Sequence, residues 1–324
     1  MSRRPFDLGD LIVGARNGQP RAVARLISLV EDGAPELCDV AAALAPHTGR
    51  AQVVGVTGSP GVGKSTSVNV LVTALRAAGK KVGVLAVDPS SPFSGGALLG
   101  DRVRMQDHAL DEGVFIRSMA TRGHLGGIAS ATPQALRVLD AAGCDVVLVE
   151  TVGVGQSEVE VVSLADTTVV LLAPGMGDGI QAAKAGILEV ADVFVVNKAD
   201  RDGADHTVRD LKYMMSLGRR GQAGPSWRPP IIRTVATKAE GVDDLVGAIE
   251  EHRVWMLEHG ELDARRQRRA QAEIEAIALA QLRAKLGDVR RGSAGLPRLA
   301  KRVVAGELDP YRAADELLAA FGDP

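Results

Sequence analysis

From residue 51 to residue 258, short β-branched runs alternate with amphipathic stretches, a pattern that leaves few architectures open. The runs are QVVGVTG (52–58), KVGVLAVD (81–88), VFIRSM (114–119), DVVLVE (145–150), TTVVLLAP (167–174), DVFVVNKAD (192–200) and PIIRTVAT (230–237). Between them, helical spacing predicts helices over 64–78, 133–143, 204–217 and 242–258, with another around 179–190. Near-continuous apolar strands alternating with helices mean βα units on a mostly parallel sheet covered on both faces. The expected fold is therefore α/β over residues 49–259. Residues 1–48 read as an N-terminal helical segment broken at Gly18-Gln19-Pro20. Residues 260–324 carry no strand signal. They read as one long helix, a break near 292–295 and two shorter helices. Ile274, Ala278, Leu282 and Leu286 fall on one face of the long helix. That stripe has two outlets, its own domain or a second subunit.

Composition removes several classes of function. Thirty-eight Lys and Arg stand against 40 Asp and Glu, and only 3% of residues are aromatic. A chain so balanced and so poor in rings lacks the positive field and stacking platforms of a nucleic-acid binder. The start, MSRRPFDLGD, meets an acid before any apolar run, so no secretory signal is expected. No run approaches the length of a membrane span. Cys38 and Cys144 form neither a disulfide framework nor a zinc spacing, which points to a reducing, cytoplasmic setting. The six histidines never join a cysteine at ligand spacing, so no transition-metal site is expected. Thirty-seven glycines suggest backbone that turns sharply or approaches a ligand closely.

The strongest local motif is Gly58-Ser59-Pro60-Gly61-Val62-Gly63-Lys64-Ser65, followed by Thr66. It fits G-x-x-x-x-G-K-[ST], with a predicted strand before it and a helix after it. Glycines let successive N–H groups curl around phosphate oxygens at a helix N-terminus. Lys64 is placed to reach the β- and γ-phosphates, and the Ser65 hydroxyl to ligate Mg²⁺. Asn197-Lys198-Ala199-Asp200 follows a later strand, where open α/β sheets bind ligands. An Asp200 carboxylate can accept from both N1–H and N2–H of guanine, a donor pair adenine lacks. Asn197 can bond the other base edge, and the Lys198 stem can lie along the ring. Ala236-Thr237-Lys238, after the next strand, fits a backbone contact to guanine O6. The implied ligand is GTP or GDP.

Glu150-Thr151-Val152-Gly153 ends the strand DVVLVE. Glu150 can hold Mg²⁺ through water, and Gly153 can offer its N–H to a γ-phosphate. Val154 follows where many GTPases carry a water-orienting Gln, and the nearest Gln is Gln156. Val cannot orient an attacking water, so slow intrinsic hydrolysis is expected. Asp88, at a strand end, and Asp101, opening a helix, are further Mg²⁺ candidates. Their plain alternatives are an Asp-Pro turn and an acid favoured by the helix dipole. The glycine-rich segment with Asp178, Gln181 and Lys184 reads either as a switch or as an ordinary loop. Arg265, Arg266, Arg268 and Arg269 are expected on a solvated helix face, and Trp227 and Trp255 are expected to pack.

GSPGVGKST, AVDPSSPFSGGALLGDRVRM, ETVGVGQSE, PGMGDGIQAAKAGILE and NKAD together closely resemble the methylmalonyl-CoA mutase-associated GTPases, the MeaB-like or ArgK-like group. The resemblance runs over roughly residues 5–320 and includes the closing GELDPYRAADELL. It implies a P-loop GTPase of the SIMIBI class that forms a homodimer through a C-terminal helical arm. It also implies association with methylmalonyl-CoA mutase, protecting that enzyme and gating its adenosylcobalamin. By the same resemblance, Mg²⁺ and γ-phosphate contacts map onto Ser65, Asp88, Asp101 and Glu150. Guanine contacts map onto Asn197, Lys198, Asp200 and Ala236-Thr237-Lys238, and Asp178 to Lys184 looks like an extra switch.

Two other readings stay in view. A metallochaperone GTPase would need a Cys/His ligand cluster, which the sequence lacks. A kinase of transport proteins would need a base for a protein hydroxyl, and none is recognisable.

Overall fold

Among the described residues, seven strands form one sheet in the order β3-β2-β4-β1-β5-β6-β7, every neighbouring pair parallel, in the computed structural model of this chain. The structure describes residues 7–89, 106–108, 110–121, 131–151, 163–175, 190–217, 226–291 and 295–319. The strands are β1 (Gln52–Gly58), β2 (Val82–Pro89), β3 (Val114–Thr121), β4 (Val146–Thr151), β5 (Thr167–Leu172), β6 (Val193–Asn197) and β7 (Ile231–Thr234). Every residue of β1, β4, β5 and β6 is buried, which is why these runs are mainly apolar rather than alternating. The edge strand β7 is only partly buried.

The chain divides into two compact units, Met1–Arg269 and Ala270–Pro324. In the first, helices α1 (Leu8–Arg16), α2 (Pro20–Glu31) and α3 (Leu37–Leu44) lie on one face of the sheet with α5 (Ala131–Ala141). Leu26 and Ile27 of α2 and Leu139 of α5 pack there against Val53, Leu85, Val147 and Val149. The N-terminal helices thus complete the sheet's core. Asp7 caps α1, accepting from Gly9 N at 2.7 Å, and Pro20 opens α2 at a position that needs no N–H donor. On the opposite face α4 (Lys64–Ala77) and α7 (Val242–Glu258) cover Val54, Val56, Val84 and Leu148. Helix α6 (Ala204–Leu217) packs Leu211 against Val170, Phe194 and Val196.

Helix α8 (Glu261–Arg291) begins in the first unit and continues into the second, which also holds α9 (Gly295–Val304) and α10 (Pro310–Ala319). No described helix is long and apolar enough to cross a membrane.

The expectation of a solvated arginine face is corrected at the root of α8. Arg265 forks onto Asp192, its two terminal nitrogens 2.8 and 2.9 Å from the carboxylate. Arg266 donates to Asp166 at 2.9 Å and to the carbonyls of Gly49 and Ala51 at 2.6 and 2.9 Å. Arg269 reaches the Leu164 carbonyl and stands 3.4 Å from Asp166. Only Arg268, 61% exposed and paired with Glu261, faces water. The two aspartates stand just before β5 and β6 and accept strand N–H groups, Asp166 from Val53 at 3.0 Å and Asp192 from Thr168 at 2.8 Å. A buried carboxylate is retained only when paired and hydrogen-bonded. Helical spacing brings Arg265, Arg266 and Arg269 to one side to meet that need.

Trp227 and Trp255 do pack. Trp227 donates its ring N–H to the Asp192 carbonyl at 2.7 Å and lies 4.8 Å from the His252 ring and 5.8 Å from Trp255.

Candidate nucleotide-binding site

The strands' carboxyl ends gather the phosphate and base motifs on one edge of the sheet, the usual ligand edge of such folds. Strand β1 ends at Gly58 (φ 144°), where a Cβ would sit 2.3 Å from the Leu171 carbonyl oxygen of β5. Only glycine fits so close to a neighbouring backbone. Ser59, Pro60, Gly61 and Val62 carry the chain to Gly63 (φ 96°), the residue before α4. A Cβ at Gly63 would lie 2.5 Å from Asn197 Nδ2. No side chain caps α4, so its first-turn N–H groups are available to an anion. Lys64 is buried and its ammonium donates to the Gly58 and Ser59 carbonyls at 2.5 and 3.2 Å. Thr66 follows in the first turn of α4.

Ser65 Oγ donates to Glu150 Oε1 at 2.7 Å. Glu150 is 1% exposed, in β4, where it pairs in register with Val56 of β1 and Ala86 of β2. A hydroxyl and a carboxylate oxygen together at the start of α4 form an all-oxygen donor pair, the chemistry a hard divalent cation such as Mg²⁺ takes. Asp88 stands in β2 opposite Ala120, two residues beyond Ala86. The Asp88 side chain, Asp101, Gly153, Val154, Gln156 and the 178–184 segment lie outside the described residues.

The base-recognition motifs converge on the same edge. Asn197 closes β6 at 2% exposure, and its amide joins three segments. Its Nδ2 donates to the Val62 carbonyl at 2.8 Å, while Oδ1 accepts from Ala236 N at 3.1 Å and Thr234 Oγ1 at 3.2 Å. Besides the expected contact to a base edge, Asn197 is thus a brace within the protein. The amide ties the phosphate loop to the loop bearing Ala236, Thr237 and Lys238. Lys198, in left-handed backbone (φ 57°), donates from Nζ to the Gly61 carbonyl at 2.6 Å, so its stem spans toward the phosphate loop. Asp200 is half-exposed, with Lys238 Nζ 3.3 Å from its carboxylate. Residues 236–238 form a single 3₁₀ turn, held by the Val235–Glu240 bridge.

Thr234 is a site residue that motif reading misses. Its hydroxyl orients the Asn197 amide, and the signal available was its place at the end of a strand just before Val235-Ala236.

The family model described as methylmalonyl Co-A mutase-associated GTPase MeaB matches residues 23–289. A Pyrococcus abyssi protein named as a GTPase is 47% identical over 312 residues, 96% of each chain. The mouse protein named methylmalonic aciduria type A homolog, mitochondrial, is 38% identical over 269 residues, covering 83% of this chain and 65% of the relative. A solved structure described as LAO/AO transport system kinase superposes with a TM-score of 0.72 at 28% identity, over 98% of this chain and all of that one. A P-loop fold with its phosphate and guanine motifs on one edge, joined to these matches, makes the chain a GTPase. It belongs to the methylmalonyl-CoA mutase-associated GTPase family.

Proposed function

We propose that this GTPase is a chaperone of an adenosylcobalamin-dependent methylmalonyl-CoA mutase, protecting the enzyme and using GTP to gate loading or exchange of its cofactor. The observation that carries the reading is the family match over residues 23–289, whose description names association with that mutase. The name of the mouse relative points to the same metabolic step.

In this reading residues 58–66 wrap the phosphates, with Lys64 leaving the Gly58 and Ser59 carbonyls for the β- and γ-phosphate oxygens. Asp200 reads guanine, and the 236–238 turn offers backbone to its O6. Ser65 and Glu150, with Asp88 and Asp101, would hold Mg²⁺, which supplies charge neutralisation of the phosphates when bound. Gly153 gives its N–H to the γ-phosphate. Because Val154 follows Gly153, hydrolysis by the protein alone is slow and a partner accelerates it. The working form is a homodimer joined through the C-terminal helices. Ile274 and Leu282 of α8, 68% and 54% exposed, support that part of the reading. A reducing, cytoplasmic setting accords with two free thiols, one of them, Cys144, pushed up to about 12 by burial.

The kinase reading suggested by the solved relative's description needs a base for a protein hydroxyl. The carboxylate buried at the phosphate loop, Glu150, is instead committed to Ser65.

The test is GTP turnover by the purified protein with and without purified methylmalonyl-CoA mutase. Formation of a complex and a changed rate support the chaperone reading. No complex and no change in rate remove it and leave the GTPase intact.

A further inference from the structure

At the amino ends of the strands, the edge of the sheet opposite the phosphate loop, three segments enclose a hollow of about 370 Å³. Arg16 and Asn17 line it from the end of α1, His47 from the 3₁₀ turn Ala45–His47, and Arg50 from the approach to β1. Asp140, Cys144 and Asp145 line it from the end of α5 and the turn into β4. All of these residues belong to the first compact unit, Met1–Arg269. The hollow has the size of a small-molecule site. Strand β1, at about 3.3 Å per residue, keeps it about 20 Å from Gly58.

The charges around the hollow are unevenly spent. Both carboxylates are turned to the backbone. Asp140 accepts from the N–H groups of Gly49, Arg50 and Ala51 at 2.5, 3.2 and 3.0 Å, and Arg266 stands within its electrostatic reach. Asp145 accepts from the Lys81 N–H at 2.7 Å. The side chains of Arg16, His47 and Arg50, in contrast, make no ion pair and no hydrogen bond among the described residues. Arg16 and Arg50 are exposed, and His47 is half-buried. The clamp that Asp140 puts on residues 49–51 fixes the backbone that presents Arg50, so that donor is held in place before a ligand arrives.

We propose that this hollow binds the phosphate group of a small molecule other than the guanine nucleotide. One guanidinium fork is enough for a planar carboxylate. Two forks from separate segments, joined by an amide and an imidazole, suit the tetrahedral oxygens and near-double charge of a phosphate monoester. The acids beside them tell against an extended polyanion, whose further phosphates would meet Asp140 and Asp145. The site is a second one, reached independently of the GTP site and of any partner enzyme.

The test is titration calorimetry on the full chain preloaded with GDP and Mg²⁺, so that the phosphate loop is filled, at constant ionic strength. The probes are inorganic phosphate and adenosine 5′-monophosphate, whose base lacks the donor pair that Asp200 takes. Arg16→Gln and Arg50→Gln are made separately and together. GTP affinity and thermal midpoint should stay at wild type, because both side chains are exposed. Each single variant is expected to weaken the probe about tenfold and the pair about 100-fold, as loss of charge-assisted bonds implies. Arg16→Lys/Arg50→Lys keeps the charges but not the forks, and its affinity should fall between wild type and the Gln pair. Arginine-dependent binding of both probes supports a site for the phosphate group itself. Arginine-dependent binding of one probe supports the site and names its source, free phosphate or phosphate carried on a larger body. No saturable binding by the wild-type chain in the millimolar range, or binding unchanged in the Gln pair, overturns the proposal and leaves the GTPase and the chaperone reading as they stand.

Discussion

Replacing Asn197 with alanine tests whether guanine affinity here depends on a brace within the protein. The side chain is 2% exposed and makes three hydrogen bonds, to the Val62 carbonyl, the Ala236 N–H and the Thr234 hydroxyl. At about 1 kcal/mol net for each bond, truncation removes about 3 kcal/mol, and more if the abandoned groups find no water. That loss is expected as a fall in the urea midpoint and, because the two loops no longer hold one geometry, as weaker binding of a fluorescent GTP analogue. If most of it reaches the site, the dissociation constant rises on the order of 100-fold. Thr234→Val removes one of the three bonds and should cost about 1 kcal/mol, roughly fivefold in affinity. The two variants therefore form a graded series. An Asn197→Ala protein binding within about threefold of wild type, or a Thr234→Val protein damaged as badly, would refute the brace.

Three further outcomes are expected. Asp200→Asn should weaken GTP and favour xanthine nucleotides in competition binding, and an unchanged preference for GTP would show that Asp200 does not read the base. Gly58→Ala should be far more damaging than an ordinary loop substitution, because its methyl would meet the Leu171 carbonyl at 2.3 Å. A thermal midpoint and GTP affinity close to wild type would contradict the packing described. The third concerns pH. His252 is fully buried, and its pKa falls from 6.5 to about 4, chiefly through burial, with Asp192 opposing. Between those values the unfolded chain holds the proton and the folded chain does not. His252 therefore removes up to about 3 kcal/mol of stability as pH drops from 6.5 toward 4. His252→Phe should flatten that part of the urea-midpoint profile, and an unaltered slope would dismiss the assignment.

The parallel core was open to reading because its strands are buried on both faces, and β4, β5 and β6 spell this out as VVLVET, TTVVLL and VFVVN. Helices α6 and α7 run over the predicted residues, 204–217 and 242–258, since each has clear breakers at both ends. The phosphate loop was equally plain, because backbone wrapping of phosphate leaves a glycine signature. Asn197 was recognised, but its bonds to Val62, Thr234 and Ala236 were not. A motif records which residue type a position needs, not which protein groups its amide also holds. The arginines of α8 were misread for a related reason. An i, i+1, i+4 basic pattern looks solvated until its acids are found, and those acids lie about 100 and 73 residues away in sequence. One hint was present. Asp166 and Asp192 each follow an alanine directly before a strand run, TTVVLL or VFVVN, a position where the carboxylate has to be buried.

The arginine root of α8 also decides where this protein can be cut. A fragment ending at residue 259, where strand and helix alternation stops, would discard Arg265, Arg266 and Arg269. It would leave Asp166 and Asp192 as two enclosed anions without their cations, a loss of several kcal/mol at each. A fragment ending at Arg269 keeps all three. Ten residues, with no share in the sheet or the nucleotide loops, thus separate a soluble, GTP-binding truncation from one expected in the pellet, and purification yield alone would tell them apart.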